Sequence, residues 1–250
     1  MKTAAEKSPA TGFSLIPDAN NARLRTVSVI IPTLNEAGNL PFVLDTIPKW
    51  VDEIIVVDGR SIDDTERIAR LLHPSVKVIH ELTPGKGAAL QAGLGAASGD
   101  YLIALDADGS MDGGQIGEFY AALENGADYV KGSRFAPGGG SADITRIRRF
   151  GDWGICILMR LLFGARFSDD SYGYFAVRAS CLPEIRIDSN GFEVETLINV
   201  RVHRAGLRIA EVPCFEGNRI HGVSTLSAFR DGARIARFLV RERIGLNRGT

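Results

Sequence analysis

The sequence predicts an α/β domain built on a doubly wound, mostly parallel sheet. Three observations carry this expectation. Short β-branched runs alternate with helical segments from Val27 to Lys131. The runs are nearly continuously apolar, as expected of strands covered on both faces. Polar and acidic residues follow the strand ends, which is where open α/β sheets bind ligands.

The elements are expected in this order. Val27–Ile31 reads as a first strand, followed by a polar turn and a helix near Leu40–Ile47. A second strand at Glu53–Asp58 leads to a helix near Asp64–Leu72, and a third at Val76–His80 to a helix near Gly87–Ala97. A fourth at Tyr101–Leu105 leads to a helix near Gln115–Leu123, and Asp128–Lys131 is the fifth. Such β-α repetition implies right-handed crossovers. The pattern then changes. Ala136–Ser141 holds Gly138, Gly139 and Gly140 and reads as a mobile loop. A basic-apolar helix follows over about Thr145–Phe163, then a short strand near Tyr174–Val177 and a helix near Glu193–Arg204. A β-hairpin near Leu207–Ile220 and a last helix near Leu226–Arg243 complete a C-terminal helical and hairpin extension. Residues 1–26 read as a disordered leader, 27–226 as the domain, and 227–250 as a basic amphipathic helix and tail.

Composition narrows the function. A chain of 250 residues with 45% hydrophobic residues can bury a full core. A net charge of -1 gives no global signal for nucleic acid. The charge is uneven, with residues 1–140 net acidic and 141–250 net basic, which implies two surfaces with different partners. Cys156, Cys181 and Cys214 lack metal-ligand spacing and read as reduced thiols of a cytoplasmic protein. The longest apolar stretch, Trp153 to Phe163, contains Arg160 and is too short to span a bilayer.

The strand ends carry the chemistry. Asp106 and Asp108 follow the buried run YLIAL and point the same way if the segment is extended. Two carboxylates held together repel unless a cation lies between them, and oxygen ligands suit Mg²⁺ or Mn²⁺ on a substrate phosphate. The alternative is a solvated turn. Asp58 ends the second strand and can accept hydrogen bonds from a base or ribose. Asp63 reads equally as a ligand or a helix cap. Gly85-Lys86-Gly87 lets backbone approach a ligand and aims Lys86 at phosphate, or it is a plain loop-to-helix turn. Arg134, beside the glycine loop, is placed to clamp phosphate as that loop closes, or is an exposed linker residue. Arg219 and Ser224, with Gly222 between them, can bind phosphate oxygens. Glu193 and Glu195 start a helix and cannot share a face, so one enters the site and the other serves the helix dipole. Asp169 and Asp170 are candidates for orienting an acceptor.

The segments VSVIIPTLNEAGNL, EIIVVDGRSIDDT, GKGAAL, LDADGS, KGSRF, DDSYGY, GFEVE and RIHGVS, in that order, resemble the family-2 glycosyltransferases of the GT-A fold. Within them the sequence is most similar to the dolichyl-phosphate mannose synthase-like branch. The resemblance runs from about Val27 to Leu226. It implies that Pro32, Leu34, Asn35 and Glu36 line the donor nucleotide, with Asp58 near the base. It implies Mg²⁺ or Mn²⁺ on Asp106 and Asp108, and phosphate contacts from Arg134, Arg219 and Ser224. The reaction would be an inverting displacement from a nucleotide-diphosphate sugar, GDP-mannose or UDP-glucose, to a polyprenyl or dolichyl phosphate. An acceptor hydroxyl on a soluble glycan or secondary metabolite is the alternative, and it requires a general base from Asp169, Asp170, Glu193 or Glu195. Ser110 stands where the family often has Gln, and Asp152 near where it commonly has Asn.

The last helix carries a basic stripe of Arg230, Arg234, Arg237 and Arg241 and an apolar stripe of Leu226, Phe229, Ala233, Ala236 and Val240. The Thr145–Phe163 helix combines Arg146, Arg148 and Arg149 with Trp153. Either helix can lie on an anionic bilayer, making the protein peripheral on the cytoplasmic face, or simply pack on the sheet. A membrane subunit is a further possible partner. A nucleotidyltransferase would want a glycine-rich basic loop after the first strand, and a dinucleotide oxidoreductase a G-x-G-x-x-G there. PTLNE supplies neither.

Overall fold

The computed structural model describes residues 25–222 and 228–245. The strands are β1 (Val27–Thr33), β2 (Glu53–Asp58), β3 (Lys77–His80), β4 (Tyr101–Ala104), β5 (Tyr129–Ser133), β6 (Gly140–Ser141), β7 (Phe175–Arg178), β8 (Ile209–Pro213) and β9 (Phe215–Glu216). The α-helices are α1 (Leu40–Thr46), α2 (Thr65–Leu72), α3 (Lys86–Ala96), α4 (Ile116–Glu124), α5 (Arg146–Phe163), α6 (Leu182–Ile185), α7 (Val194–Arg204) and α8 (Ala228–Arg243).

Seven strands form one sheet in the order β3-β2-β1-β4-β7-β5-β8, parallel except for β7. The apolar runs alternate across the pleat. Val29, Ile31, Ile54, Val56 and Ile103 face one core, while Ile30, Ile55, Val57 and Leu102 face the other. This is why β1, β2 and β4 read as unbroken apolar runs: nearly every position is buried on one side or the other, whereas the edge strand β3 is only partly covered. The first half winds outward from β1 to β3, and β4 returns to the other side of β1. The switch point therefore lies between the ends of β1 and β4, which puts PTLNE beside LDADGS.

Antiparallel β7 separates β4 from β5. Its direction places the preceding segment, residues 168–174, at the same edge as the ends of β4 and β5. The expected hairpin near Leu207–Ile220 does not form. β8 pairs in parallel with β5, and β9 in parallel with β6. Only Cys214 separates β8 from β9, which leaves no room for a reversing turn. The glycine loop is likewise more ordered than expected. Gly140 N donates to Cys214 O (3.0 Å) and Ala142 N to Glu216 O (2.9 Å).

The α8 stripe is phased differently from the sequence reading. Leu239 is fully buried, and Ile235 and Phe238 pack on the core, while Ala233 and Val240 face outward. Glu242 joins the inward face because Arg201 and Arg204 neutralise it at 3.3 and 3.5 Å. Leu226 of that stripe lies outside the described residues. Among the described residues, no helix is long and apolar enough to cross a membrane.

Candidate active site

Two turns form one end of the cleft. Asp58, buried at the end of β2, accepts from Ser61 N at 2.9 Å. The turn after β1 is cross-linked to the turn after β2. Asn35 N donates to Ser61 Oγ (2.9 Å), Ile62 N to Asn35 Oδ1 (2.8 Å), and Glu36 N to Thr65 Oγ1 (3.0 Å). Asn35 (φ 59°) and Arg60 (φ 72°) sit in the left-handed region, one in each turn. Strain of about 1 kcal/mol or more at each is maintained by these cross-links. Asp63 accepts from Thr65 N (3.0 Å) and Ala37 N (3.1 Å), so it serves the helix start and the loop rather than a ligand. Pro32 lies in β1 opposite Val57, and Leu34 is exposed at the mouth.

Asp106 and Asp108 face the cleft beyond β4. Ser110 orients Asp108, its backbone N and Oγ donating to Oδ1 at 3.0 and 2.7 Å. Asp108 Oδ2 meets Arg219 Nη2 at 2.9 Å, and Arg219 Nη1 lies 3.5 Å from Glu36 Oε1. Asp106 meets Lys86 Nζ at 2.5 Å. Lys86 also meets Glu195 at 2.6 Å. Burial opposes the charge of Lys86, but these two carboxylates outweigh it and hold the ammonium above the usual lysine range. Glu36 is raised above the ordinary carboxyl range, mainly by burial, with Asn39 and Arg219 opposing and Asp108 and Asp106 adding to the rise.

The glycines around Lys86 serve packing, not ligand approach. A Cβ on Gly85 or Gly87 would lie 1.9 Å from the carbonyl oxygen of Asn190 or Ser189. Gly87 N donates to Asn190 O at 2.9 Å. The segment leading into α7 therefore lies directly on the start of α3, which brings Glu195 to Lys86. A Cβ on Gly173 would lie 2.7 Å from both Lys86 Nζ and Asp106 Oδ2, so the segment before β7 closes the cleft from below.

Several expected site residues are engaged elsewhere. Arg134 is buried, and its Nε and Nη2 pair with both oxygens of Asp169 at 2.7 and 2.8 Å. Its Nη1 reaches Glu216 at 3.2 Å, so this is an internal tie that fixes the glycine loop rather than a free phosphate clamp. Burial would raise Asp169, but Arg134 prevails and holds it below the usual range. Asp170 is fully buried and accepts from Thr196 Oγ1 (2.5 Å) and Asn199 Nδ2 (2.9 Å). Burial and then the charge of Asp152 push it up to about 7. Both carboxylates are buried and engaged by protein groups. Glu193 pairs with Arg234 of α8 (3.2 Å) and Ser189 (2.6 Å), while Glu195 alone enters the cleft. Ser224 lies outside the described residues.

Sequence reasoning missed the support for this arrangement. Asp152 of α5 accepts from Ser171 N (2.9 Å) and Asp170 N (3.3 Å), fixing the segment before β7. Thr196 and Asn199 hold Asp170 from α7 at helical spacing, which was the one available signal.

The donor chemistry fits Mg²⁺ or Mn²⁺. Asp106 and Asp108 offer hard oxygen ligands at the cleft, and cationic groups now neutralise each of them. Among the described residues no three His, Cys, Asp or Glu side chains converge on one metal position. Two carboxylates with phosphate oxygens and water completing the shell is the usual Mg²⁺ arrangement.

An open sheet with two cross-linked turns and an acidic pair at its switch point is the architecture of the GT-A fold. The family model described as "Glycosyl transferase family 2" matches residues 28–185. The chain is 36% identical to an undecaprenyl-phosphate mannosyltransferase of Micrococcus luteus, covering 80% of this chain and 87% of that one. It is 32% identical to the polyprenol monophosphomannose synthase of Mycolicibacterium smegmatis, covering 88% and 89%. Among solved structures it resembles glucosyl-3-phosphoglycerate synthase of Mycobacterium tuberculosis in complex with Mn²⁺, uridine-diphosphate and phosphoglyceric acid. That match has a TM-score of 0.69 and 26% identity, covering 88% of this chain and 79% of that one. The chain belongs to glycosyl transferase family 2, and it is a glycosyltransferase of the GT-A fold.

Proposed function

We propose that this enzyme transfers a hexose, with inversion, from GDP-mannose or UDP-glucose to a polyprenyl phosphate. The observation that carries the choice of acceptor is the pairing state of the acids. Asp169 is tied to Arg134, Asp170 is buried on Thr196 and Asn199, Glu193 is tied to Arg234, and Glu195 to Lys86. No carboxylate among these stands free to deprotonate a hydroxyl. A phosphate acceptor is already an anionic nucleophile and needs no base. The relatives named for undecaprenyl-phosphate and polyprenol substrates support the same reading.

In this reading Asp58 and the 33–36 turn hold the nucleoside. Arg219, paired with Asp108 and Glu36, would contact the diphosphate, and Lys86 sets the position of Asp106. Mg²⁺ or Mn²⁺ on Asp106 and Asp108 would neutralise charge developing on the leaving diphosphate.

The acceptor reaches this cleft from a bilayer. The outer face of α5 exposes Ile147 (60%), Phe150 (71%), Trp153 (57%) and Leu161 (77%), and Arg146, Arg149 and Arg160 are exposed on the same helix. The inner face of α5 holds the segment before β7 through Asp152, next to Lys86 and Asp106. Docked on the cytoplasmic face, α5 would place a lipid headgroup at the cleft edge.

A second reading keeps a soluble acceptor and rests on the likeness to the phosphoglycerate-bound structures. Competition decides between them. With both polyprenyl phosphate and 3-phosphoglycerate present, label from either donor is expected in the organic phase. Label confined to the aqueous product would overturn the lipid reading.

A further inference from the structure

The segment 217–222 crosses the mouth of the donor cleft as a strap. Gly217 N donates to Ser110 O (2.8 Å) and Ile220 N to Asp108 O (3.2 Å), so the strap runs along the LDADGS turn. Its outer edge is held from the opposite side by hydrogen bonds with Asn39, with the Phe42 ring 6.1 Å from that of His221. Asn39, at the start of α1, is 3% exposed. Its Oδ1 accepts from His221 N at 2.9 Å, and its Nδ2 donates to His221 O at 3.2 Å. The carboxamide thus pairs with the His221 backbone in both directions, as a strand partner would. Its second N–H donates to Glu36 Oε2 at 2.5 Å, so both donors and the acceptor are in use. The close fit of the strap extends to Gly38, where a Cβ would lie 3.2 Å from the His221 ring.

We infer that Asn39 is a positioning residue for donor binding: it docks the strap so that Arg219 is aimed at Glu36, Asp108 and the diphosphate. The chain of contacts is short. Asn39 fixes His221, Arg219 lies two residues earlier, and the same Asn39 orients Glu36, the second carboxylate that Arg219 approaches. Asn39 touches no substrate in this account and acts through Arg219. The inference rests on the proposed reading of the cleft as a nucleotide-sugar site.

Asn39→Asp is the sharpest variant, because it keeps the shape and changes one donor group into an acceptor. The new oxygen would face the His221 carbonyl and the Glu36 carboxylate, which is repulsive on both sides. Hydrogen exchange of the peptide covering 217–222 in the free protein is expected to speed up about 10-fold, with exchange in β1 and β2 unchanged. The KM for the donor is expected to rise by a similar factor while kcat changes less. In an Arg219→Ala background the same substitution should add little to the donor KM, because both act through one contact. Asn39→Ser, which removes the bidentate pair without adding charge, gives the same readouts should the Asp variant fail to fold. Unchanged exchange in 217–222, or full additivity with Arg219→Ala, would overturn the role of Asn39. Failure of the wild-type protein to bind any nucleotide-diphosphate sugar would instead overturn the reading of the cleft, with the exchange experiment still deciding whether Asn39 holds the strap.

Discussion

Asp170 shows how a single residue can stand out in the sequence and yet be taken up by the fold itself. The pair Asp169-Asp170 stands out as acidic and close to the site, yet one is neutralised by Arg134 and the other is desolvated on α7. Sequence gives no sign of which carboxylates a fold will bury. It follows that Asp170 costs stability when charged. Its folded pKa is raised to about 7, so the folded state binds a proton more tightly than the unfolded state between the ordinary carboxyl range and that value. Stability from this group is therefore present at low pH and is lost as pH rises through that window. Asp170→Asn removes the titration. The difference in unfolding free energy between variant and wild type, from denaturant melts, is expected to shift in favour of the variant from pH 5 to pH 8. A difference that stays flat across that range would contradict the assignment. By contrast, Asp106 and Asp108 stand out in the sequence because a charged pair directly after a buried strand has few purely structural explanations, and the structure brings both to the cleft beside Lys86 and Arg219.

At the scale of elements, the strands of the first half could be read from composition because β1, β2 and β4 are buried on both faces, and β3, a partly covered edge strand, keeps the short run KVIH. The second half could not, for identifiable reasons. β7 enters between β4 and β5 in the opposite direction, and nothing local encodes which gap a strand fills. β8 and β9 looked like a hairpin because two apolar runs lay close together, but the chain between them is a single cysteine and each pairs with a distant strand. In α8 the buried stripe includes Glu242, a residue no hydrophobic periodicity would place inward. Of the two helices on which the membrane expectation rests, α5 leaves Phe150, Trp153 and Leu161 exposed among the described residues, with Phe150 and Trp153 packed on each other. Replacing Trp153 and Leu161 together by Glu is expected to reduce sedimentation with anionic phospholipid vesicles by about 10-fold or more, since each buried large side chain contributes roughly 1.5–3 kcal/mol. Circular dichroism should remain unchanged, because these side chains are exposed. Equal sedimentation of variant and wild type would remove α5 as the docking face.

The whole molecule joins two functional halves at one cleft. The β1–β4 half supplies the two cross-linked turns and the acidic pair, and the segments before β7 and α7 close that cleft through Gly173 and Glu195. Lys86 and Arg219 balance the acids from opposite sides, one rooted in the packing of α3 against residues 189–190 and the other on the strap. The central claim is that this cleft transfers sugar from a nucleotide-diphosphate donor with the help of a divalent metal on Asp106 and Asp108. The most direct measurement is the initial rate of nucleoside-diphosphate release from GDP-mannose and from UDP-glucose, with polyprenyl phosphate in detergent and Mg²⁺ or Mn²⁺ present or chelated. The account predicts release from one of these donors that depends on both acceptor and metal, and that falls by about 100-fold or more in Asp108→Asn as leaving-group stabilisation is lost. Release that proceeds equally well in the chelator, or in the variant, would contradict it.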